Sequence, residues 1–197
     1  MSQKLRRIGV LALQGDFREH LAALRACEVE GVPVRLVEDL ERVDGLILPG
    51  GESTTMSRLM AKDLHERIRS RAKQEGMPVM GTCAGMILMA RSIQDGHPSQ
   101  KTLGLIEITV RRNAYGRQVD SFEASVHGPF DDAAPAIFIR APQVVEQGQD
   151  VKTLASHNGV PVAVRQGNRV ALAFHPELTG DRRWHQYFLE LAGKPAA

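Results

Sequence analysis

Pro78-Val-Met-Gly-Thr-Cys-Ala-Gly-Met-Ile-Leu-Met-Ala-Arg91 carries the pattern on which the fold turns. Pro78–Thr82 reads as a short apolar strand and Ala84–Arg91 as an apolar helix, with Cys83 at the junction and Gly81 and Gly85 on either side. A strand, a sharp turn and a helix with a nucleophile at the turn form the elbow of many α/β hydrolases, here with Cys where Ser is common. Glycines on both sides remove Cβ atoms that would clash in so tight a turn. A thiol at a helix N-terminus feels a dipole that favours thiolate, and a free thiol, with a pKa of about 8.5, needs such help at neutral pH. The N–H of Ala84, just after the nucleophile, is placed to donate to an oxyanion. The bland alternative is a buried structural cysteine, the usual fate of a lone Cys. That alternative fits Cys27, which lies inside a helical pattern.

Outward from the elbow, strand and helix patterns alternate. Ile8–Leu13 is a continuous apolar run, as in a strand buried on both faces, and Gln14-Gly15-Asp16 ends it. Phe17, Leu21 and Leu24 then fall at helical spacing, and Gly31 stops that helix. Val32–Val37 and Asp44–Leu48 read as strands. A long helical pattern runs from about Ser53, a plausible N-cap, to Gln74. This alternation predicts a doubly wound, mostly parallel sheet. The second half changes character. Leu103–Val110, Gln118–Val126, Ala136–Ile139, Val151–Ser156, Val160–Val164 and Val170–Phe174 read as short strands of an antiparallel or mixed extension. A last helix is expected over Asp181–Leu191 and a loose tail over 193–197. No linker separates the halves, so one domain spanning 1–197, with its core over about 7–192, is expected.

Composition excludes several function classes. Hydrophobic residues make up 43% and aromatics 5% of the 197 residues, so the core is aliphatic, as suits a parallel sheet under helices. The net charge of +2, from 25 basic and 23 acidic residues, gives no electrostatic reason to expect nucleic acid or a membrane surface. Arg67, Arg69, Arg71 and Lys73 spread around a helix and read as a solvated face. Two cysteines without a Cys-x-x-Cys pair argue against a disulfide framework or a cysteine-rich metal site. No run approaches transmembrane length, and a cytoplasmic location with reduced thiols follows as the expectation.

Two further segments carry chemistry. Phe174-His175-Pro176-Glu177 follows the strand-like Val170–Phe174. A nucleophilic Cys needs a base, and the base needs an orienting acceptor. His175 and Glu177 supply both, across a stiff Pro. Alone, His-Pro-Glu reads as readily as a surface turn. Leu48-Pro-Gly-Gly-Glu-Ser53 also ends a strand before a helix, where open α/β sheets bind ligands. Bare backbone at Gly51 can approach a substrate, and its N–H is a candidate second oxyanion donor; an ordinary βα turn is the alternative. Neither phosphate-loop pattern is present.

At these residues the sequence resembles the triad-type (class I) glutamine amidotransferases. Within them it is similar to the branch of glutaminase subunits serving pyridoxal 5′-phosphate (vitamin B6) synthesis. The triad pieces are shared by the whole class. The branch is carried by Leu13-Gln-Gly-Asp16, Arg112-Asn-Ala-Tyr-Gly-Arg-Gln118 and Phe138-Ile-Arg-Ala-Pro142, with Glu19-His20, Asp120-Ser-Phe-Glu123, Val162-Ala-Val-Arg-Gln-Gly167 and Phe174-His-Pro-Glu-Leu178 also matching. Met89, where many relatives have Leu, is a volume-conserving departure. Val126-His-Gly-Pro-Phe130 matches nothing recognisable, and His127 and His157 read as solvent-exposed.

The resemblance implies a three-layer, flavodoxin-like α/β fold with helices on both faces of a mixed, mostly parallel sheet. It implies Cys83 as nucleophile, His175 as base and acid, and Glu177 as its orienter, with backbone at Gly51 and Ala84 as oxyanion hole. Glutamine would meet Gly51, Glu52, Ser53, Arg112, Ile139 and Arg140. The chemistry is reasonable, since a carboxylate suits the α-ammonium and a guanidinium suits the α-carboxylate. Arg112 and Arg140 are otherwise surface charges. No metal or organic cofactor is implied, pyridoxal 5′-phosphate being the product. The implied partner is a (β/α)₈-barrel synthase subunit, in a dodecamer of heterodimers, that receives the ammonia, with Gln14 a candidate for sensing it. Readings that stay open are an amidotransferase feeding another ammonia-using enzyme, a non-catalytic regulatory module, and a cysteine peptidase or stress protein of related architecture.

Overall fold

The computed structural model describes residues 7–94, 96, 100–112 and 121–193. In chain order the elements are β1 (Arg7–Leu11), α1 (Phe17–Ala26), β2 (Glu30–Val34), α2 (Val37–Leu40), β3 (Gly45–Leu48), α3 (Ser53–Leu59), α4 (Lys62–Lys73), β4 (Val79–Thr82), α5 (Ala84–Met89), β5 (Ala90–Gln94), β6 (Ile106–Arg111), β7 (Ser121–Val126), β8 (Ala134–Ile139), β9 (Gln143–Gln147), β10 (Lys152–His157), β11 (Val160–Gln166) and β12 (Arg169–Leu172). A 3₁₀ turn (Pro176–Leu178) and α6 (Arg183–Gly193) close the chain.

Among the described residues the main sheet has seven strands in the order β10-β11-β12-β4-β3-β1-β2. The pairings β2–β1, β1–β3, β3–β4 and β4–β12 are parallel, while β11 runs antiparallel to both β12 and β10. Every residue of β3 and β4 is buried, as the continuous apolar runs of their sequences require. The chain leaves β1 toward β2 and then returns past it to β3, β4 and β12. Right-handed crossovers therefore place helices on opposite faces. The reversal also leaves the C-terminal ends of β1, β3, β4 and β12 side by side at one edge. Two small sheets, β5-β6-β9 and β7-β8, complete the mixed extension expected of the second half.

Several boundaries differ from the sequence reading. The long helix over Ser53–Gln74 is two helices, because Met60 and Ala61 take extended ψ values of 112° and 150°. Its N-cap is Glu52, whose carboxylate accepts from Thr54 N–H, and not Ser53. The helix after Cys83 stops at Met89, and Ala90–Gln94 continues as β5, paired parallel to β6. Val37 opens the short α2 and does not extend β2. The strand β9 has no counterpart in the sequence reading; three of its five residues are exposed, so it lacks the apolar run that marks the central strands. Gln118–Asp120, most of the 112–118 segment and 194–197 lie outside the described residues.

Phe122, Phe138, Phe174, Trp184 and Phe130 form one contiguous aromatic seam. Phe138 stacks on Phe122 with centroids 4.6 Å apart, meets Phe174 at 5.5 Å, and Phe174 meets Trp184 of α6 at 5.5 Å. Phe130, from the segment with no recognisable motif, packs edge-on against Trp184 at 4.9 Å, so that segment seats α6. His157, expected in solvent, is half-buried against Phe122 and Phe138, whereas His127 is exposed. Cys27 is half-buried at the C-cap of α1, not in a core. The basic residues of α4 are not all solvated. Arg67 pairs with Glu41 and Glu75, while Arg69 and Arg71 donate to the carbonyls of Leu103 and Leu40. Phe138 is fully buried. Phe138→Ala should therefore lower unfolding free energy by about 3–5 kcal/mol in urea titration, through lost contact and a cavity.

Candidate active site

Cys83 sits between β4 and α5 with φ +47° and ψ −102°, a backbone conformation that a non-glycine residue adopts only when its surroundings force it. Its N–H donates to Leu172 O at 2.8 Å, which ties the elbow to β12. A Cβ on Gly85 would lie 2.0 Å from Leu48 O, so α5 is seated directly on the end of β3. α5 has six residues, and Ala84 opens it, where the first N–H groups of a helix lack intrahelical acceptors. Cys83 is buried, and its thiol lies 3.7 Å from Ile139 O.

His175 follows β12, its N–H donating to Ile137 O at 2.8 Å. The side chain is 4% exposed, and its Nδ1 lies 2.8 Å from Glu177 Oε1 and 3.3 Å from Asp16 Oδ2. Engagement of Nδ1 leaves Nε2 for the thiol. Burial works against a charged ring, but hydrogen bonds with Asp16, Cys83 and Glu177, plus the Glu177 charge, outweigh it and push the His175 pKa up to about 12. Burial pushes the Glu177 carboxyl up, against the opposing pull of the His175 ring. A Cβ on Gly50 would lie 2.2 Å from His175 Cε1, so glycine there makes room for the imidazole.

A pocket of about 310 Å³ opens over this group, lined by Gln14, Asp16, Gly51, Glu52, Ser53, Cys83, Ile87, Arg112, Ile139, Arg140 and His175. Arg112 Nη2 donates to Glu52 Oε1 at 3.0 Å, and its Nη1 donates to Thr54 Oγ1 at 3.0 Å and Gln100 Oε1 at 2.9 Å. Gln100 Nε2 in turn donates to Ser53 Oγ at 2.9 Å. Gln14 Oε1 accepts from Glu52 N–H at 2.8 Å and so holds the Gly51–Glu52 backbone. Gln14, Gly51, Glu52, Ser53, Cys83, Arg112, Ile139, Arg140 and His175 thus share one pocket wall; Glu177 stands behind His175, and Ala84 beneath Cys83.

The family model of the SNO glutamine amidotransferases matches residues 10–194. This chain belongs to that family. Among curated relatives of this SNO-family chain, a pyridoxal 5′-phosphate synthase subunit PdxT from Mycobacteroides abscessus is 55% identical, over 93% of this chain and 96% of its own length. One from Thermotoga petrophila is 54% identical, over 94% and 98%. A crystal structure of a glutamine amidotransferase superposes with a TM-score of 0.89 at 48% identity, covering 95% of this chain and 99% of that one. The structure of PurLQS from Thermotoga maritima, at 17% identity and a TM-score of 0.68, shares the fold.

Three polar residues at this site of the SNO-family chain have no role in the sequence reading. Asp16 closes the Leu-Gln-Gly-Asp motif and offers His175 a second carboxylate. Asp16, His175 and Glu177 bring ligand atoms within 4.8 Å of one another, the kind of set a small cation takes, although Nδ1 is already engaged by Glu177. His20 and His185 lie behind Glu177, fully buried. Nothing in the periodicity of α1 or α6 separates them from apolar core positions; the signal was the Glu19-His20 match alone.

Burial, with Arg182 nearby, pulls the His185 pKa down to about 4, and burial, His185 and His175 pull His20 well below the usual histidine value. A pKa depressed by folding contributes stability that is whole above about pH 6.5 and lost as pH falls toward the folded value. The raised His175 has the opposite sign: its contribution is whole below about 6.5 and is lost as pH rises toward 12. Unfolding free energy from urea titrations should drop between pH 6.5 and 4, and His185→Gln should reduce that drop by roughly 3 kcal/mol.

Proposed function

We propose that this chain hydrolyses L-glutamine to L-glutamate and ammonia through a γ-glutamyl thioester on Cys83, and that the ammonia serves pyridoxal 5′-phosphate synthesis by a partner subunit. The observation that carries the chemistry is the His175 ring held between the Cys83 thiol and two carboxylates at the base of the pocket. The pathway reading draws on family membership and on relatives named as pyridoxal 5′-phosphate synthase subunits.

Cys83 Sγ attacks Cδ of the side-chain amide and its proton passes to His175, whose neighbouring carboxylates raise its proton affinity. Backbone N–H groups at Gly51 and Ala84 receive the oxyanion. As the C–N bond breaks, His175 returns the proton to the leaving nitrogen, which departs as ammonia. Water, deprotonated by His175, adds to the thioester; collapse releases glutamate and restores the thiol. Nucleophile, proton carrier and oxyanion donors all come from the chain, so the reaction calls for no metal or organic cofactor. The α-ammonium is assigned to Glu52 and the α-carboxylate to Arg112, which divide between substrate groups what they otherwise share with each other. Ser53, Ile139 and Arg140 complete the wall.

Ammonia at neutral pH is mostly protonated and poorly nucleophilic, which favours making it while docked on its consumer. We assign the consumer as a (β/α)₈-barrel synthase subunit, in a dodecamer of heterodimers, working in the cytosol. The two free cysteines accord with a reducing compartment, and no helix among the described residues is long and apolar enough to cross a membrane. Gln14 fits a coupling role because it holds the backbone beside the oxyanion site.

Glutamate release measured with and without the co-expressed synthase subunit tests the reading. Release should rise on docking, fall to background in Cys83→Ala, and fall about 10²-fold in kcat in Glu177→Gln; no release in either state rejects the proposal. Gln14→Ala should lower the stimulation by the partner, and unchanged stimulation removes Gln14 from the coupling.

A further inference from the structure

Behind the proposed triad lies a second polar chain that the reaction above does not use. His20, on α1, and His185, on α6, are both 0% exposed. His20 Nδ1 and His185 Nε2 are 3.0 Å apart. On its other side, His20 Nε2 is 3.1 Å from Thr82 Oγ1, the residue before the nucleophile, and 3.4 Å from Glu177 Oε2. Oε2 is the carboxylate oxygen turned away from His175; it is buried and, among the described residues, accepts no well-directed hydrogen bond. His185 Nδ1 is likewise buried without a partner among the described residues.

Counting protons on two neutral rings leaves two arrangements. In the first, His20 carries its proton on Nδ1 and donates to His185 Nε2. His185 must then hold its own proton on Nδ1, a buried N–H with no acceptor, and the bare lone pair of His20 Nε2 faces a carboxylate oxygen. In the second, His185 Nε2–H donates to His20 Nδ1, and the His20 proton sits on Nε2, facing both Thr82 Oγ1 and Glu177 Oε2. What is left over is a bare nitrogen on His185, a lighter penalty than a stranded donor, and the contact with Glu177 becomes attractive. The charged alternative, an imidazolium at His20, is opposed by burial and by His185 and His175.

We propose that His20 is a positioning residue for the glutaminase reaction: with its tautomer set by His185, its Nε2–H holds the Glu177 carboxylate in line with His175 and braces Thr82 beneath the nucleophile. The line of contacts runs His185–His20–Glu177–His175–Cys83 and joins α6 and α1 to the ends of β12 and β4. A loose Glu177 still leaves the glutamine pocket formed, since none of these three outer residues lines it. The cost of losing His20 therefore falls on the chemical step and not on substrate binding.

This inference rests on the glutaminase reading, so the test separates the two. In the complex with the synthase subunit, His20→Leu should lower kcat for glutamate release by between about 10- and 100-fold with the glutamine KM within about twofold. His20→Gln, whose amide can place an N–H near the position of Nε2, should recover most of the loss. Equal losses in Leu and Gln variants, or a loss confined to KM, overturn the proposal. Should His20→Leu fail to fold, imidazole ¹⁵N shifts of the wild-type chain decide the matter: Nε2–H on both His20 and His185 supports it, and Nδ1–H on His20 overturns it. Absence of glutamate release by the wild-type complex would instead reject the glutaminase reading, while the tautomers remain readable.

Discussion

The seating of α5 on the end of β3 is the constraint from which the site follows. The backbone at Gly85 comes so close to Leu48 O that a single methyl group would collide with it. Contact at that range pins the first turn of α5, and Cys83, caught between that turn and β4, is held at positive φ. The strain of such a residue is of order 1–3 kcal/mol. It is sustained because β4 is hydrogen-bonded on both sides, to β3 and to β12, and because Cys83 N–H is itself bonded to Leu172 O. A freely hinged elbow could relax and turn the sulfur away from His175; this one cannot do so without disturbing three strands.

Electrostatics supply the second layer. His175 is almost fully buried, a condition that by itself disfavours a charged ring, yet it is faced by Asp16 and Glu177. Two carboxylates on one nitrogen make the imidazole a ready proton acceptor in a place where water is scarce. They differ in setting. Asp16 belongs to the loop that also carries Gln14 and is partly exposed at the pocket, while Glu177 is enclosed. Movement of the first loop thus reaches both the Gly51–Glu52 backbone and the charge beside His175, so one loop touches two parts of the proposed machinery.

Much of the fold was legible in sequence because the central strands are buried on both faces. Ile8–Leu13 is an unbroken apolar run, Gly45–Leu48 and Pro78–Gly81 carry no polar side chain, and each lies over a strand of the parallel sheet. Where burial is one-sided or polar, the pattern fails. β9 is mostly exposed and shows no apolar run, and the start of β5 continues the helical pattern before it because Ala90 and Arg91 carry no strand signal of their own. The break at Met60–Ala61 separates α3, which buries Met56, from α4, which buries Leu64 and Ile68, and Met60 between them is itself buried, so the apolar spacing runs on across the break and conceals two helices.

For the site, the sequence by itself determined the residue types and their strand-end positions: Cys83 between glycines, His175 and Glu177 across a proline, Gly50-Gly51 after β3. These are local signals, since turn geometry and strand ends depend on near neighbours. Only the tertiary structure decided what surrounds them. That Asp16 shares the imidazole, that Arg112 is paired with Glu52, and that His20 and His185 stand behind Glu177 are relations between segments up to 165 residues apart. No periodicity records them, because a side chain's neighbours across a sheet are set by strand order and packing rather than by adjacency along the chain.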